Sequence, residues 1–195
     1  QHSVTTEFEK ASEQLNPSVA AMRKLARQGA QVIMTYPNND AGGRAIISCI
    51  NELKDENNSG IQIHRSLGRY LYHGILALAK NPELKVVCVG NSSSGIKETP
   101  VFGCPTVNIG SRQQGRLRGE NVVDAHYDSE SIVKAVNSCL HDDSFRKICH
   151  ETSNPYYMGD AGNKIASVLA EVSLNQSLLK KAMTLKGEAR DEYFC

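Results

Sequence analysis

Residues 85–98 have the sequence KVVCVGNSSSGIKE, in which an apolar run leads into a turn of small polar residues. The apolar side chains from Val86 to Val89 would face both sides of a strand, which indicates a central strand of a parallel sheet. Residues 91–95 are expected to form the turn, and a short helix is expected to follow to about Phe102. A strand that enters a helix in this way is typical of an α/β fold.

The same alternation extends along the chain in both directions. Strands are predicted at residues 31–36, 61–64, 85–90, 105–109 and 121–123, and later helices at residues 41–54, 69–80, 129–140, 144–150 and 163–173. A first helix from Thr6 is expected to break at Asn16 and Pro17, because proline disfavours a helical residue before it. The predicted fold is α/β, a Rossmann-like parallel sheet with helices on both faces.

The composition limits the kinds of partner. The chain has 195 residues, 40% of them hydrophobic and 22% charged, so one globular domain with a core is expected. A net charge of +1 gives no general attraction to nucleic acid or to an anionic membrane. No apolar run approaches the roughly 20 residues that span a bilayer, and the first residues do not resemble a signal peptide. We expect a cytoplasmic fragment without nucleic-acid or membrane partners, with a domain at residues 1–175 and a polar tail at 176–195.

Cysteine and histidine residues do not indicate a metal site. The six cysteines are scattered and form no C-x-x-C pair, so buried or incidental thiols in a reducing compartment are expected. The histidines lack the spacing of metal ligands. Neither a metal nor a cofactor is predicted.

Groups suited to a nucleotide follow three of the predicted strands, in the turns at residues 37–43, 91–95 and 110–119. Ligands of parallel sheets bind outside the carboxyl ends of the strands, which all three turns would occupy. In the second turn, Ser92 and Ser93 precede a helix whose first N–H groups are expected to be unpaired, so a diphosphate could bind there. The motif is not a P-loop, because Ile96 occupies the position of the lysine. An ordinary turn with serine caps is the alternative.

Further candidates each have a structural and a functional interpretation. Glu98 is either a carboxylate favoured by the helix dipole or an acceptor for two ribose hydroxyls. Arg112 lies in a loop that is either merely solvated or suited to phosphate and base edges. Asn38 is a turn residue or a nucleotide contact. His2 is a surface residue, a phosphate donor or part of the proton-transfer apparatus.

Taken together, these segments resemble the hydrolysing UDP-N-acetylglucosamine 2-epimerases, which include bacterial sialic-acid enzymes and the epimerase half of an animal bifunctional epimerase/kinase. The matching segments occur in the family's order and cover about residues 2–170. They are HSVTTE at 2–7, YPNNDAG at 36–42, GNSSSGIKE at 90–98, FGCPTVNIGSRQ at 102–113 and GENV at 119–122. One departure is the connection at residues 79–85, which is longer than is usual in the family.

The resemblance implies one half of a two-domain, glycosyltransferase-B-like fold, with the amino-terminal domain and its acid/base carboxylates missing. UDP-N-acetylglucosamine and water would become N-acetylmannosamine and UDP by elimination and then hydration, in sialic-acid or amino-sugar biosynthesis. The isolated fragment would be inactive, and the full-length protein a homo-oligomer. The site residues implied are His2 for phosphate and catalysis, Asn38 and Arg112 for the nucleotide, the Leu67 backbone for uracil, Ser92 and Ser93 for the diphosphate, and Glu98 for ribose.

Two other functions remain open from the sequence. A related epimerase for a diacetamido sugar, or a retaining glycosyltransferase, would carry similar nucleotide motifs, because the choice of sugar lies largely in the missing domain. A non-catalytic UDP-binding module would function without that domain. The sequence preceding Gln1 would distinguish the module from the enzyme.

Overall fold

The structure is a computed structural model that describes residues 1–55, 60–157 and 159–180. The chain forms two compact units, Gln1–Tyr157 and Met158–Cys195. The second unit contains helices α7 (Ala161–Glu171) and α8 (Gln176–Leu179). Residues 181–195, most of the predicted polar tail, lie outside the described residues, and the domain boundary at residue 175 stays a prediction.

The first unit has an α/β fold, and every strand pairing among its described residues is parallel. The strands are β1 (Val32–Thr35), β2 (Ile61–His64), β3 (Cys88–Gly90), β4 (Thr106–Ile109) and β5 (Val122–Ala125). β1 pairs with β2 in one sheet, while β3, β4 and β5 form a second sheet in that order. The parallel α/β fold predicted from the sequence is therefore confirmed, with its strands hydrogen-bonded as two sheets.

Helices connect β1 to β2, β2 to β3 and β3 to β4, whereas the connection from β4 to β5 is a loop without a helix. The α-helices of this unit are α1 (Ala11–Arg27), α2 (Gly43–Asp55), α3 (Gly68–Ala77), α4 (Ser94–Lys97), α5 (Ser129–His141) and α6 (Asp143–Glu151). Short 3-10 helices lie at Thr5–Lys10, Leu78–Lys80 and Thr99–Phe102. Within the described ranges, none of the helices combines the length and apolar content that crossing a membrane requires.

The predicted break at Asn16 and Pro17 is wrong, because α1 runs through both residues. Leu15 and Val19 lie on either side of Pro17, and both pack in one buried cluster with side chains of α2. Burial of a continuous apolar face outweighs the local cost of the proline. The chain instead departs from helical geometry earlier, at Glu7, whose φ is −132°.

Helices cover both faces of the second sheet, as the packing of residues 86–89 at strand β3 shows. Val87 and Val89 pack against a core cluster that includes residues of α1 and α5. Val86 and Cys88 pack instead against a cluster that contains Leu76 of α3. Alternate side chains of a strand point to opposite faces, so the two clusters lie on opposite sides of the strand.

The connection that enters β3 is held by α6. The Nη2 atom of Arg146 donates hydrogen bonds to the carbonyl oxygens of Pro82 and Leu84, at 3.1 and 2.9 Å. The backbone N–H of Leu84 also donates to the carbonyl oxygen of Asn81 at 3.1 Å. The long connection noted in the sequence is therefore tied down where it approaches the amino end of the strand.

Candidate functional site

Asn91, the first residue after β3, joins two distant segments of the chain. Its side chain is fully buried. Nδ2 donates to the carbonyl oxygen of His2 at 2.8 Å, and Oδ1 accepts from the backbone N–H of His2 at 2.7 Å. The Asn91 carbonyl oxygen accepts hydrogen bonds from Gln113 Nε2 at 2.7 Å and Arg112 Nη1 at 3.1 Å. The turn after β3, the amino-terminal segment and the loop after β4 therefore meet at one residue.

The His2 side chain is fixed in one tautomer at this junction. Its Nδ1 atom accepts a hydrogen bond from the backbone N–H of Asn38 at 3.0 Å, so the proton of the neutral ring lies on Nε2. Burial is the main reason that the pKa of His2 lies at about 4; the nearby charge of Arg112 also lowers this pKa, and the Asp40 carboxylate opposes the shift. At neutral pH His2 is thus an uncharged ring that offers Nε2–H as a donor.

The side chain of Arg112 is held by contacts with two other segments of the site, the loop after β1 and the turn after β3. Its Nη2 atom lies 3.3 Å from Oδ2 of Asp40, in the loop after β1, while Nη1 contacts the Asn91 carbonyl oxygen. An arginine has five N–H donors, so these two contacts leave donors for a ligand. The structure thus brings together His2, Asn38 and Arg112, although His2 and Arg112 are 110 positions apart in the sequence.

A chain of hydroxyl groups orders the serine turn. Tyr72 of α3 donates to Ser94 Oγ at 3.0 Å, and Ser94 Oγ donates to Ser92 Oγ at 3.0 Å. Ser92 Oγ also accepts from the backbone N–H of Ser94 at 3.3 Å. Because a hydroxyl oxygen has two acceptor positions, these bonds fill both of them and leave the Ser92 proton free to donate. Burial raises the pKa of Tyr72, which keeps its hydroxyl protonated at neutral pH.

The expectation that the first N–H groups of α4 are unpaired is wrong. The N–H of Gly95 donates to the carbonyl oxygen of Ser92 at 3.2 Å, and those of Ile96 and Lys97 donate to that of Ser93 at 3.1 and 2.9 Å. The tight turn satisfies these groups itself, because α4 has only four residues. Ser93 precedes α4, and its side chain makes no capping hydrogen bond. The turn thus presents hydroxyl donors rather than a helix terminus.

Glu98 lies at the end of α4 and contacts a residue that the sequence did not single out. Its Oε2 atom lies 2.7 Å from Nε2 of His73, the residue after Tyr72 in α3. The His73 ring packs on Phe102, with ring centroids 5.3 Å apart. Two consecutive residues of α3 therefore contact the two parts of the predicted nucleotide site, one at the serine turn and one at Glu98.

Leu67 lies apart from this network. It follows β2, in the two-stranded sheet, and immediately precedes α3. The hydrogen bonds that connect His2, Asn38 and Arg112 do not involve it. Its neighbour Ser66 accepts the N–H of Gly68 at 3.1 Å, which shapes the turn into α3. The predicted role of the Leu67 backbone is not tested by this arrangement.

A polar cavity of about 510 Å³ opens beside the junction. Its walls come from the start of the first 3-10 helix and from the loop after β4, which includes Arg112 and Arg116. The volume is in the range of small-molecule sites.

Arg118, the third arginine of this loop, forms an ion pair with Asp124, with Nη1 and Oδ1 2.6 Å apart. The bond from Arg118 is the main cause of the lowered pKa of Asp124. Arg118 therefore has a structural role, and the loop offers Arg112 and Arg116 to the cavity.

Comparison with known proteins indicates a family. The sequence model described as UDP-N-acetylglucosamine 2-epimerase matches residues 2–170. The chain is 33% identical over 137 residues to "UDP-N-acetylglucosamine 2-epimerase" of Neisseria meningitidis serogroup B, which covers 69% of the chain and 33% of that protein. It is 31% identical over 151 residues to "UDP-N,N'-diacetylbacillosamine 2-epimerase (hydrolyzing)" of Legionella pneumophila, covering 77% of the chain and 37% of that protein.

A third relative is "GDP/UDP-N,N'-diacetylbacillosamine 2-epimerase (hydrolyzing)" of Campylobacter jejuni. The chain is 36% identical to it over 98 residues, which cover 50% of the chain and 24% of that protein. The matched regions thus span about a third or less of the length of two of these curated relatives and 37% of the third.

Proposed function

Because this chain belongs to the UDP-N-acetylglucosamine 2-epimerase family, we propose that it forms the sugar-nucleotide-binding part of a hydrolysing 2-epimerase. The complete protein would convert UDP-N-acetylglucosamine and water into N-acetylmannosamine and UDP. The observation that carries this proposal is the convergence of a neutral histidine, an arginine and serine hydroxyls at the carboxyl ends of parallel strands. Such an arrangement of donors suits a diphosphate that must leave the sugar.

The diphosphate would lie between the serine turn and the junction at Asn91. Ser92 keeps a hydroxyl proton that is free to donate, Ser93 has a hydroxyl that makes no capping bond, and Arg112 keeps donors after its structural contacts. Elimination of UDP places negative charge on the departing phosphate. Donors already fixed by partly buried contacts would stabilise that charge without having to reorganise. His2 would add Nε2–H as a donor to phosphate and would serve in proton transfer.

The nucleoside would extend towards the two-stranded sheet. Glu98 would accept hydrogen bonds from the two ribose hydroxyls through its carboxylate oxygens. The backbone at Leu67 would contact uracil, and Asn38 would contact the nucleotide beside His2. Each of these groups follows a strand at its carboxyl end or directly follows the short helix after β3, where ligands of parallel sheets bind.

The base that removes the proton at sugar C2 would come from an amino-terminal domain paired with this chain. The acid/base carboxylates of the family would belong to that domain, and it would form the other wall of the cleft. We further propose that the complete protein is a cytoplasmic homo-oligomer that acts in sialic-acid or amino-sugar biosynthesis. The chain by itself would bind UDP weakly, because half of the contacts would be absent.

A second candidate function is the 2-epimerisation of a diacetamido sugar nucleotide. The relatives from Legionella and Campylobacter, whose printed names specify N,N'-diacetylbacillosamine, favour this candidate. Assay of the complete protein with UDP-N-acetylglucosamine and with the UDP-linked diacetamido sugar would separate the two. Release of UDP from one substrate only would identify the sugar, and release from neither would favour a binding module.

Calorimetric titration of the 195-residue chain with UDP tests the nucleotide site directly. Glu98→Ala and Arg112→Ala should each weaken binding by about tenfold, the value of one charge-assisted hydrogen bond. Arg118→Ala is the matched control, since Arg118 lies in the same loop but is bonded to Asp124. Equal affinity in all three variants and the wild type would contradict the proposed site.

A further inference from the structure

We propose that His73 is a positioning residue that holds the Glu98 carboxylate for ribose recognition. The inference rests on the proposed function, because the ribose contact of Glu98 is itself part of that proposal. His73 does not appear among the residues that the sequence indicated, and it would contact the nucleotide only through Glu98. The geometry that points to this role is the 2.7 Å contact between His73 Nε2 and Glu98 Oε2.

The backbone of Glu98 is already fixed, so only its side chain needs to be oriented. Its N–H donates to the carbonyl oxygen of Ser94 at 2.9 Å, and its own carbonyl oxygen accepts from Val101 at 3.1 Å. The side chain is 41% exposed. A half-exposed glutamate with several rotatable bonds samples many rotamers unless a partner selects one. His73 supplies that partner.

The His73 ring is itself held in place. It packs on Phe102 at a centroid distance of 5.3 Å and on Tyr72 at 5.9 Å, both in tilted arrangements. Since a carboxylate can only accept from a neutral imidazole, the bond places the ring proton on Nε2. The bond occupies one acceptor position of Oε2. Oε1 and the other position of Oε2 stay open to the two hydroxyls of a ribose.

The neighbouring residue Tyr72 provides an internal comparison. Its hydroxyl donates to Ser94, and through Ser94 it orders Ser92 at the diphosphate part of the site. Loss of the Tyr72 hydroxyl should weaken every nucleotide that carries the diphosphate. Loss of the His73 contact should weaken only nucleotides that carry ribose hydroxyls. Two adjacent residues of one helix thus predict different patterns of ligand discrimination.

The experiment measures the affinity of the chain for UDP and for 2′,3′-dideoxyuridine diphosphate, by calorimetry or ligand-observed NMR. The wild type should prefer UDP by about tenfold. His73→Asn has an amide that is too short to reach Glu98, and it should reduce that preference to about twofold. His73→Gln has an amide that reaches the position of Nε2, and it should retain most of the preference. Tyr72→Phe should weaken both ligands by the same factor and leave the preference unchanged.

Thermal unfolding of each variant identifies any loss of affinity that arises from misfolding. The Asn and Gln variants both carry a side-chain amide, so a difference between them reflects the reach of that amide and not its polarity. A His73→Asn variant that keeps the wild-type preference would overturn the inference. Equal weakening of both ligands by His73→Asn would overturn it as well, because a purely structural role has that effect. A wild type that binds UDP without any preference for the ribose hydroxyls, or that binds neither ligand, would overturn the proposed function together with this inference.

Discussion

The side-chain amide of Asn91 pairs with both backbone polar groups of His2, at 2.7 and 2.8 Å, across 89 positions of sequence. A neighbouring strand would use its backbone N–H and carbonyl in the same way. The pairing satisfies a fully buried polar side chain and also holds the histidine beside the proposed nucleotide site. Both of these hydrogen bonds to the backbone of His2 therefore come from one side-chain amide.

Asn91→Asp tests the contribution of that amide without changing the shape of the side chain. The substitution places a carboxylate oxygen opposite the His2 carbonyl oxygen in a buried position, which removes a donor and adds an unpaired charge. The free energy of unfolding should fall by about 2–4 kcal/mol, measured by urea denaturation. Asn51→Asp is the control, because the exposed Asn51 uses its side-chain oxygen to accept from Tyr36, and an aspartate preserves that acceptor. A loss in the control as large as that in Asn91→Asp would contradict the interpretation.

The pKa of His2 gives a prediction for the dependence of stability on pH. Folding lowers this pKa from 6.5 to about 4, so the unfolded chain binds the proton more readily. The contribution of His2 is therefore fully present above about pH 6.5 and is lost as the pH falls towards 4. Between pH 6.5 and 4.5 the wild type should lose about 1–2 kcal/mol more stability than His2→Gln. Unfolding at several pH values measures this difference.

A direct measurement of the same group is the titration of the ring carbon signals by NMR. The His2 signal, identified by its absence in His2→Gln, should show a midpoint near 4. A midpoint near 6.5 would mean that the ring is solvated and not held by Asn38. The predicted neutral donor would then be wrong.

Gly110, which starts the loop that carries Arg112, should not accept a side chain. Its φ is +71°, and a Cβ atom at this position would overlap the ring of Tyr127. Gly110→Ala should therefore reduce the free energy of unfolding by about 3 kcal/mol, from backbone strain and overpacking together. Gly115→Ala isolates the strain, because Gly115 has φ +77° and its Cβ would meet no described atom within 4 Å.

The double variant Gly110→Ala with Tyr127→Ala separates the two costs further. If overlap with the ring causes the extra loss, the Gly110→Ala change should cost only about 1–2 kcal/mol in the Tyr127→Ala background, as at Gly115. Denaturant unfolding of the four proteins completes the cycle. Identical costs of Gly110→Ala in both backgrounds would assign the loss to the backbone alone.

Local sequence patterns predicted the elements well where the pattern and the tertiary structure agree. The apolar run before Gly90 and the alternation of strands with helices indicated the parallel fold, and all five predicted strands are present. The break at Pro17 was wrong because a local rule met a long apolar face that packs on both sides of the proline. Tertiary packing decides such conflicts, and a local stretch of sequence does not show which distant residues will pack against it.

In the candidate site, too, some residues could be predicted from local sequence patterns and others became visible only through tertiary packing. His2, Asn38 and Arg112 were selected from the sequence, and the structure brings them together. Tyr72 and His73 were missed because they lie inside a predicted helix, where aromatic and histidine residues usually belong to the core. Only the packing of α3 beside α4 shows that they contact Ser94 and Glu98. The paired N–H groups of α4 were missed because the length of that helix is not visible in its sequence.

The connection held by Arg146 enters β3 at its amino end, whereas Asn91 leaves from the carboxyl end. The segment therefore lies at the end of the strand that is opposite to the proposed nucleotide site. Changes in the length of this segment should therefore not disturb the proposed phosphate contacts. For the same reason, the neighbourhood of Glu83 is a suitable place for a fluorophore or an affinity tag that reports on the domain and leaves ligand binding intact.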